Sequence, residues 1–556
     1  MTDLQAVCRG ELEPDLVIEN ARVFSAHTRE WLDGDVAIAG ERFAGIGRYE
    51  GGERIDAGGR CLVPGYIDAH LHIESSKLML DEFARVVLGR GTTTVVCDPH
   101  ELANVLGAPG IEWLIEATAG LPLDVFCMAS SCVPASPFES PGASLDVADL
   151  ERLLAHPRVL GVAEMMNFPA VIAGDPRELA KIALAGHVDG HAPAVSGREL
   201  DAYLATGIAT DHEATTPAEA LERLRRGCYV LIREASNARN LRALLQVVRE
   251  HGPSFCAFCT DDREPDFLVR EGHIDQMCRV AVAEGIAPED ALVMATLHPA
   301  LCHGLSRRGA IAPGYLADCL LLDDLGSFTP SLVIKSGRRV AEIPRVDAPA
   351  WTRGTVKLAP LAPDQLATPR EGMLRVIGMV PDQILTRSLE LPAATPGLAT
   401  VCVVERHRAS GRIGLGKVLG FGLAQGAFAT TVAHDAHNVV CVGRDETSMV
   451  RCIERLGELG GGIVVARDGA VVGELALPIA GLLSERPASE VVELLDRLQD
   501  ELTRMGVTLP SPFMAASFLA LSVIPRLKIT DRGLVDVDRF ELVPLAVGAP
   551  MPDSSA

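Results

Sequence analysis

The chain has 556 residues, enough for several domains at about 150 each, although one α/β barrel can take ~250 of them. Hydrophobic residues make up 48% and charged residues 22%, which gives large cores and excludes disorder over the bulk of the chain. Lys and Arg total 51 against 74 Asp and Glu, and the net charge of -23 repels phosphate backbones and anionic lipid, so the expected partner is a small neutral or cationic molecule, with no nucleic acid and no membrane.

Met1 to Leu4 lead into Glu11, Glu13 and Asp15 without the apolar run of a signal peptide. The 14 cysteines are scattered, mostly through apolar runs, as free thiols of a reducing compartment are, so a cytoplasmic protein is expected. Residues 1–65 hold short strand-like pieces at 16–18, 22–24 and 36–38, broken by turns such as Asp33-Gly34. A matching fragment at 318–322 and 332–334 lies in residues 313–345, so a small β-sandwich assembled from both flanks is expected.

Between the flanks, residues 66–312 carry eight short apolar runs, at 66–72, 93–98, 125–129, 159–164, 187–191, 208–212, 229–233 and 255–261. Helical patterning such as 218–224 separates them. Alternating strand and helix signals imply parallel βαβ units, and eight in succession close a (β/α)8 TIM barrel. Residues 346–370, rich in Pro and Ala, read as a linker. Residues 371–550 read as an additional α/β or α+β domain, with glycine-rich strands at 460–465 and a helix at 490–502. The apolar stretch 513–524, between Pro512 and Pro525, is too short to span a bilayer and reads as buried. A disordered tail is expected at 551–556.

The chemistry starts at Asp68-Ala69-His70-Leu71-His72 on the first barrel strand. Side chains at i and i+2 of a strand share a face, so both imidazoles project into the barrel mouth, where two nitrogen donors suit a divalent transition metal. His-x-His alone is weak. Glu164, His191, His212 and Asp261 then arrive at the ends of later strands, on the face where such barrels build active sites. A carboxylate at Glu164 can bridge two metals, with the histidine pairs and Asp261 completing a binuclear site. Two cations would make water a hydroxide at neutral pH, Asp261 taking its proton. Glu101 is the candidate acid for the leaving group. Glu74, Ser75 and His100, also at the mouth, are candidate substrate contacts.

The motifs resemble the adenine deaminases of the amidohydrolase superfamily. The match runs through Gly65-Tyr66-Ile67-Asp68-Ala69-His70-Leu71-His72-Ile73-Glu74-Ser75-Ser76, Gly91-Thr92-Thr93-Thr94 and Asp98-Pro99-His100-Glu101-Leu102-Ala103-Asn104-Val105. It continues in Glu164-Met165-Met166-Asn167-Phe168-Pro169, Asp189-Gly190-His191-Ala192-Pro193, Asp211-His212-Glu213 and Thr260-Asp261-Asp262. Beyond the linker come Gly420-Phe421-Gly422 and His434-Asp435-Ala436-His437-Asn438, so the resemblance covers nearly the whole chain. It implies hydrolysis of adenine to hypoxanthine and ammonia at a binuclear manganese or iron centre held by the six residues above; a homodimer is the expected assembly. Two positions depart from the family pattern: Ala235 stands where glycine is usual and His298 where asparagine is usual.

Other patterns compete. Cys256-Ala257-Phe258-Cys259 lacks the His-x-Glu and Pro-Cys context of zinc deaminases and reads as two buried thiols. His434 and His437 leave three roles open: insertion near the purine pocket, a structural role, or an extra metal. A cyclic-amide hydrolase of the same superfamily would bridge its metals with a carboxylated lysine where Glu164 stands, and the nearest lysine, Lys181, lies downstream in a helical stretch. A catalytically inactive scaffold would have lost ligands, and none is missing.

Overall fold

The structure, a computed structural model, describes residues 3–380 and 383–550; the tail expected at 551–556 lies outside the described residues. The barrel strands are Tyr66–Leu71, Thr92–Cys97, Asp124–Ala129, Val159–Met165, Val188–Gly190, Thr210–Asp211, Tyr229–Arg233 and Cys256–Cys259. The first five pair in parallel as one sheet and the last three as another. The Ala209 N–H donates to the Val188 carbonyl at 2.9 Å across one seam. At the other, Leu71 bridges Asp261 in parallel, and the Asp261 N–H donates to the His70 carbonyl at 3.0 Å. The closed barrel is the expected one.

These strands read as unbroken apolar runs because both faces are covered, by the barrel interior and by the outer helices. Helix Leu241–His251 shows the pattern: Leu241, Leu244, Leu245, Val247 and Val248 are buried, while Arg242 and Arg249 stay outside. Thr216 and Glu219 cap the helix Pro217–Leu224 reciprocally, which fixes where the sixth strand's loop ends.

The two flanks meet as expected. Strand Cys61–Pro64 pairs with Cys319–Leu322, and hydrogen bonds connect all eight flanking strands into one sheet around a shared core that includes Ile18, Val23, Phe43, Leu62 and Leu321. The Pro-rich segment is less free than a linker. Thr352 and Leu366 are fully buried, and the Thr352 carbonyl accepts from the Ala480 N–H at 2.7 Å. Proline holds extended backbone without needing a strand partner, so the segment lies along the C-terminal domain as a strap.

That domain is α+β. An eight-stranded, mainly antiparallel sheet spans Met373–Met379 to Ala470–Ala476, with helices Glu446–Leu459 and Ala488–Arg504 and a three-stranded meander, Leu527–Val543. The apolar stretch at 513–524 is buried, as expected, as helix Pro512–Ser517 followed by turns. It sits over the barrel mouth.

Candidate active site

His70 and His72 lie at the end of the first barrel strand, and Glu164 is the last residue but one of the fourth. His191 and His212 directly follow the fifth and sixth strands, and Asp261 lies two residues beyond the eighth. None of the six is more than 5% exposed. Asp261 has φ +55°, left-handed backbone that Asp tolerates better than most residues and that the closing bridge to Leu71 holds.

Glu164 is the centre. Its Oε1 lies 3.7 Å from His70 Nε2 and 3.5 Å from His72 Nε2, and its Oε2 lies 2.6 Å from His191 Nδ1 and 3.3 Å from His212 Nε2. Each carboxylate oxygen therefore faces one histidine pair. Asp261 Oδ1 completes the first side, 3.1 Å from His72 Nε2 and 3.7 Å from His70 Nε2.

The cluster fits divalent metal. Both ring nitrogens of His70, His191 Nε2 and His212 Nδ1 are buried with no hydrogen-bond partner, which costs about 1–3 kcal/mol per group unless something else satisfies them. The donor atoms of His70, His212 and Asp261, and those of His70, His72 and Glu164, lie within 4.8 Å of one another. Burial together with the neighbouring His212 holds His70 down at about 3, whereas against burial the Asp261 and Glu164 carboxylates raise His72 and His212. A mixed set of nitrogen and carboxylate donors suits first-row transition metals.

Outer partners fix these groups. His72 Nδ1 lies 2.9 Å from the Asp98 carbonyl. Arg233, buried at the end of the seventh strand, pairs with Glu213 and donates to Asp261 Oδ2 at 3.0 Å. Burial opposes that guanidinium charge, but Glu213 and Asp261 outweigh it and hold Arg233 protonated. Lys181 is engaged elsewhere: its Nζ donates to the Ser131 carbonyl at 2.8 Å and to Glu178 at 2.9 Å. Cys256 and Cys259 are free and buried, and burial pushes the Cys256 thiol up to about 12.

Above the cluster is a small cavity. His72, His100, Glu164, His191, His212 and Asp261 line its floor, with Glu213, Arg233 and Asp262. The C-terminal domain supplies the roof: Ile384, His434, Asp435, Phe518 and Leu521. His100 reaches across, with Nδ1 3.1 Å from Asp98 and Nε2 3.6 Å from Asp435. Burial alone would lower His100, but Asp435 and Asp98 outweigh it and hold it at about 10.

The other predicted contacts stand one layer back. Ser75 Oγ donates to Glu101 at 2.8 Å and contacts Asp262, and Glu74 accepts from the Leu102 N–H at 3.1 Å. Burial and the adjacent Glu101 push Glu74 up to about 8. Glu101 reaches the cavity wall through His434, whose Nδ1 is 3.6 Å from its Oε1. Of the roof residues, His434 and Asp435 lie in a sequence motif, whereas nothing in the sequence marks Ile384, Phe518 and Leu521 as site residues. The two departures lie off the histidine and carboxylate cluster: His298 Nδ1 contacts the Cys256 carbonyl at 3.0 Å, and Ala235 packs with Ile384, Phe518 and Leu521.

Comparison with known proteins gives two family matches: the amidohydrolase family over residues 61–340 and the adenine deaminase C-terminal domain over residues 385–541. An adenine deaminase of Methylobacterium sp. (strain 4-46) is 48% identical over 552 residues, covering 96% of this chain and 98% of that protein. One from Nitratidesulfovibrio vulgaris (strain DP4) is 45% identical, covering 98% and 99%. Among solved structures, an enamidase aligns at 18% identity and a TM-score of 0.46, over 58% of this chain and 95% of its own.

Proposed function

This chain belongs to the adenine deaminase family of the amidohydrolases, and from that premise we propose that it hydrolyses adenine to hypoxanthine and ammonia. The observation that carries the reading is the floor of the cavity, where six buried donors converge and four of their ring nitrogens lack partners. His70, His72, Glu164, His191, His212 and Asp261 would hold two divalent ions, manganese or iron, with Glu164 between the two histidine pairs. Bound there, the metals supply the Lewis acidity that turns water into a nucleophile near neutral pH.

The chain's own residues do the rest. Asp261, held by Arg233, accepts the proton of the attacking water. Glu101 is the proton store for the departing amine, reaching the cavity through His434. Ser75 holds Glu101 in place, Glu74 accepts from the Leu102 N–H beside it, and His100 is the substrate contact. The buried roof residues cover the cavity from the C-terminal domain. A cyclic-amide hydrolase is disfavoured because a carboxylate, Glu164, occupies the bridging position and Lys181 is committed to Ser131 and Glu178. The expected state is a homodimer in the cytoplasm; a monomeric mass by light scattering would overturn the assembly.

The test is to purify the protein, count metals per chain and screen purines and pyrimidines for ammonia release. Two metals per chain and adenine turnover well above guanine, cytosine and adenosine are expected. Site groups left unpaired by the wrong base can cost about 10⁴-fold or more. Equal turnover of cytosine or adenosine would overturn the substrate, and full activity without metal would overturn the site.

A further inference from the structure

We propose that Asp435, on the C-terminal domain, binds the substrate base by accepting the N–H of its imidazole half. The inference rests on the adenine reading above and adds a residue on which selection of the free base depends.

Asp435 is 1% exposed and lines the cavity, and its Oδ2 has no hydrogen-bond partner. Its Oδ1 faces His100 Nε2 and His434 Nδ1, both at 3.6 Å, beyond ordinary hydrogen-bond length. A buried carboxylate oxygen without a donor is costly, and the site is complete only when a ligand supplies one.

The loop that carries it is fixed on all sides. The His434 N–H donates to Ser517 Oγ at 3.3 Å, and His407 Nε2 lies 2.7 Å from the Ala436 carbonyl. Arg406 donates to the His437 carbonyl, and Asn438 Nδ2 donates to the Ser140 carbonyl at 3.0 Å, tying the loop to the barrel side. The main chain on both sides of Asp435 is thus held, and its carboxylate lines the cavity as an acceptor carried on a fixed backbone.

The chemistry of the base selects which N–H it meets. Adenine offers donors at the exocyclic amine and at the imidazole ring. The amine-bearing carbon must face the Glu164–Asp261 floor, where the reaction occurs. Asp435 lies on the opposite side of the His100 ring, whose Nδ1 is 3.5 Å from Glu164 and whose Nε2 faces Asp435. The donor left for the roof is the imidazole N–H, which a ribose at that nitrogen removes. Phe518, Leu521 and Ile384 add apolar surface for the ring faces.

The test compares adenine with 9-methyladenine on the metal-loaded parent, Asp435→Asn and Asp435→Ser, with kcat/KM and, for the methylated base, its inhibition constant against adenine. A hydrogen bond to a charged acceptor corresponds to roughly a 10–100-fold loss on adenine in both variants. Most of the loss should fall in KM, and 9-methyladenine should lose far less, so the preference for the unsubstituted base shrinks. Equal losses on both bases would mean a structural role and overturn the assignment, as would a loss on adenine below about threefold. Metal analysis separates a further alternative: a third equivalent present in the parent and absent from Asp435→Asn would make the cluster with His100 and His434 a cation site. A parent that releases no ammonia from adenine would overturn the underlying function instead.

Discussion

Two buried polar clusters share the first barrel strand and differ in one respect. Asp68 is surrounded by donors: it accepts from Thr260 Oγ1 at 2.6 Å and from the Thr260 and His70 N–H groups at 3.2 Å, and His273 Nε2 lies 3.1 Å away. His273 in turn meets Thr92 Oγ1 at 2.7 Å, so every nitrogen and oxygen of the group has a partner. Two residues along the same strand, His70 is as deeply buried and both its ring nitrogens lack partners. Burial and strand are the same; saturation is not. A polar group that the protein satisfies by itself stabilises the fold, and one left open on a rigid frame is set for something from outside.

The comparison breaks most sharply at the open cluster. His70→Ala or His212→Ala should bring turnover to background and lower metal content by emission spectroscopy, with the circular dichroism spectrum kept. Retained metal and activity would show that the open nitrogens are not ligands. Next, Asp261→Asn should cost about 10²–10⁴-fold in kcat through lost proton acceptance, with more from weakened metal binding. A variant within tenfold of the parent would place the base elsewhere.

At the saturated cluster the effect moves from activity to stability. His273→Ala leaves Asp68 short of a partner and should destabilise the barrel by about 1–3 kcal/mol in denaturant melts, with metal content unchanged. Metal loss at constant stability would erase the distinction between the clusters.

The smallest effect concerns the roof. Lys528 Nζ donates to the carbonyls of Ile384 and Phe518, at 2.8 and 2.9 Å, and so ties two roof segments together. Burial pushes this amine down to about 7 from an ordinary 10.5. Between those values the unfolded chain holds a proton that the folded one does not, so stability rises with pH across that window and is lost as pH falls through about 7. Lys528→Met should flatten this rise in thermal melts between pH 7 and 10; an unchanged slope would show that the amine does not titrate there.

The barrel was legible because each strand is buried on both faces and so appears as an apolar run of the right length, down to the very short fifth and sixth strands. The buried cluster was legible because strand ends bring its residues into short motifs, and His70 and His72 share a face by period alone. The roof was not. Ile384, Phe518 and Leu521 are ordinary apolar residues far downstream of Asp261, and only the docking of one domain on the other brings them to the cavity. Glu74 and Ser75 adjoin the ligands in sequence, yet the turn at 73–76 points them behind the wall, toward Leu102 and Glu101. A Pro-rich strap reads as a linker because proline marks irregular backbone without showing what that backbone lies against.

The separation of floor and roof along the chain also sets an order in time. All six floor donors lie between residues 70 and 261, while the roof is drawn from residues 384 to 521. A ribosome adding roughly 5–20 residues per second therefore delivers the complete donor set several seconds before any of the roof exists. Throughout that interval the mouth of the nascent barrel faces open water, and an ion reaching it meets no lid.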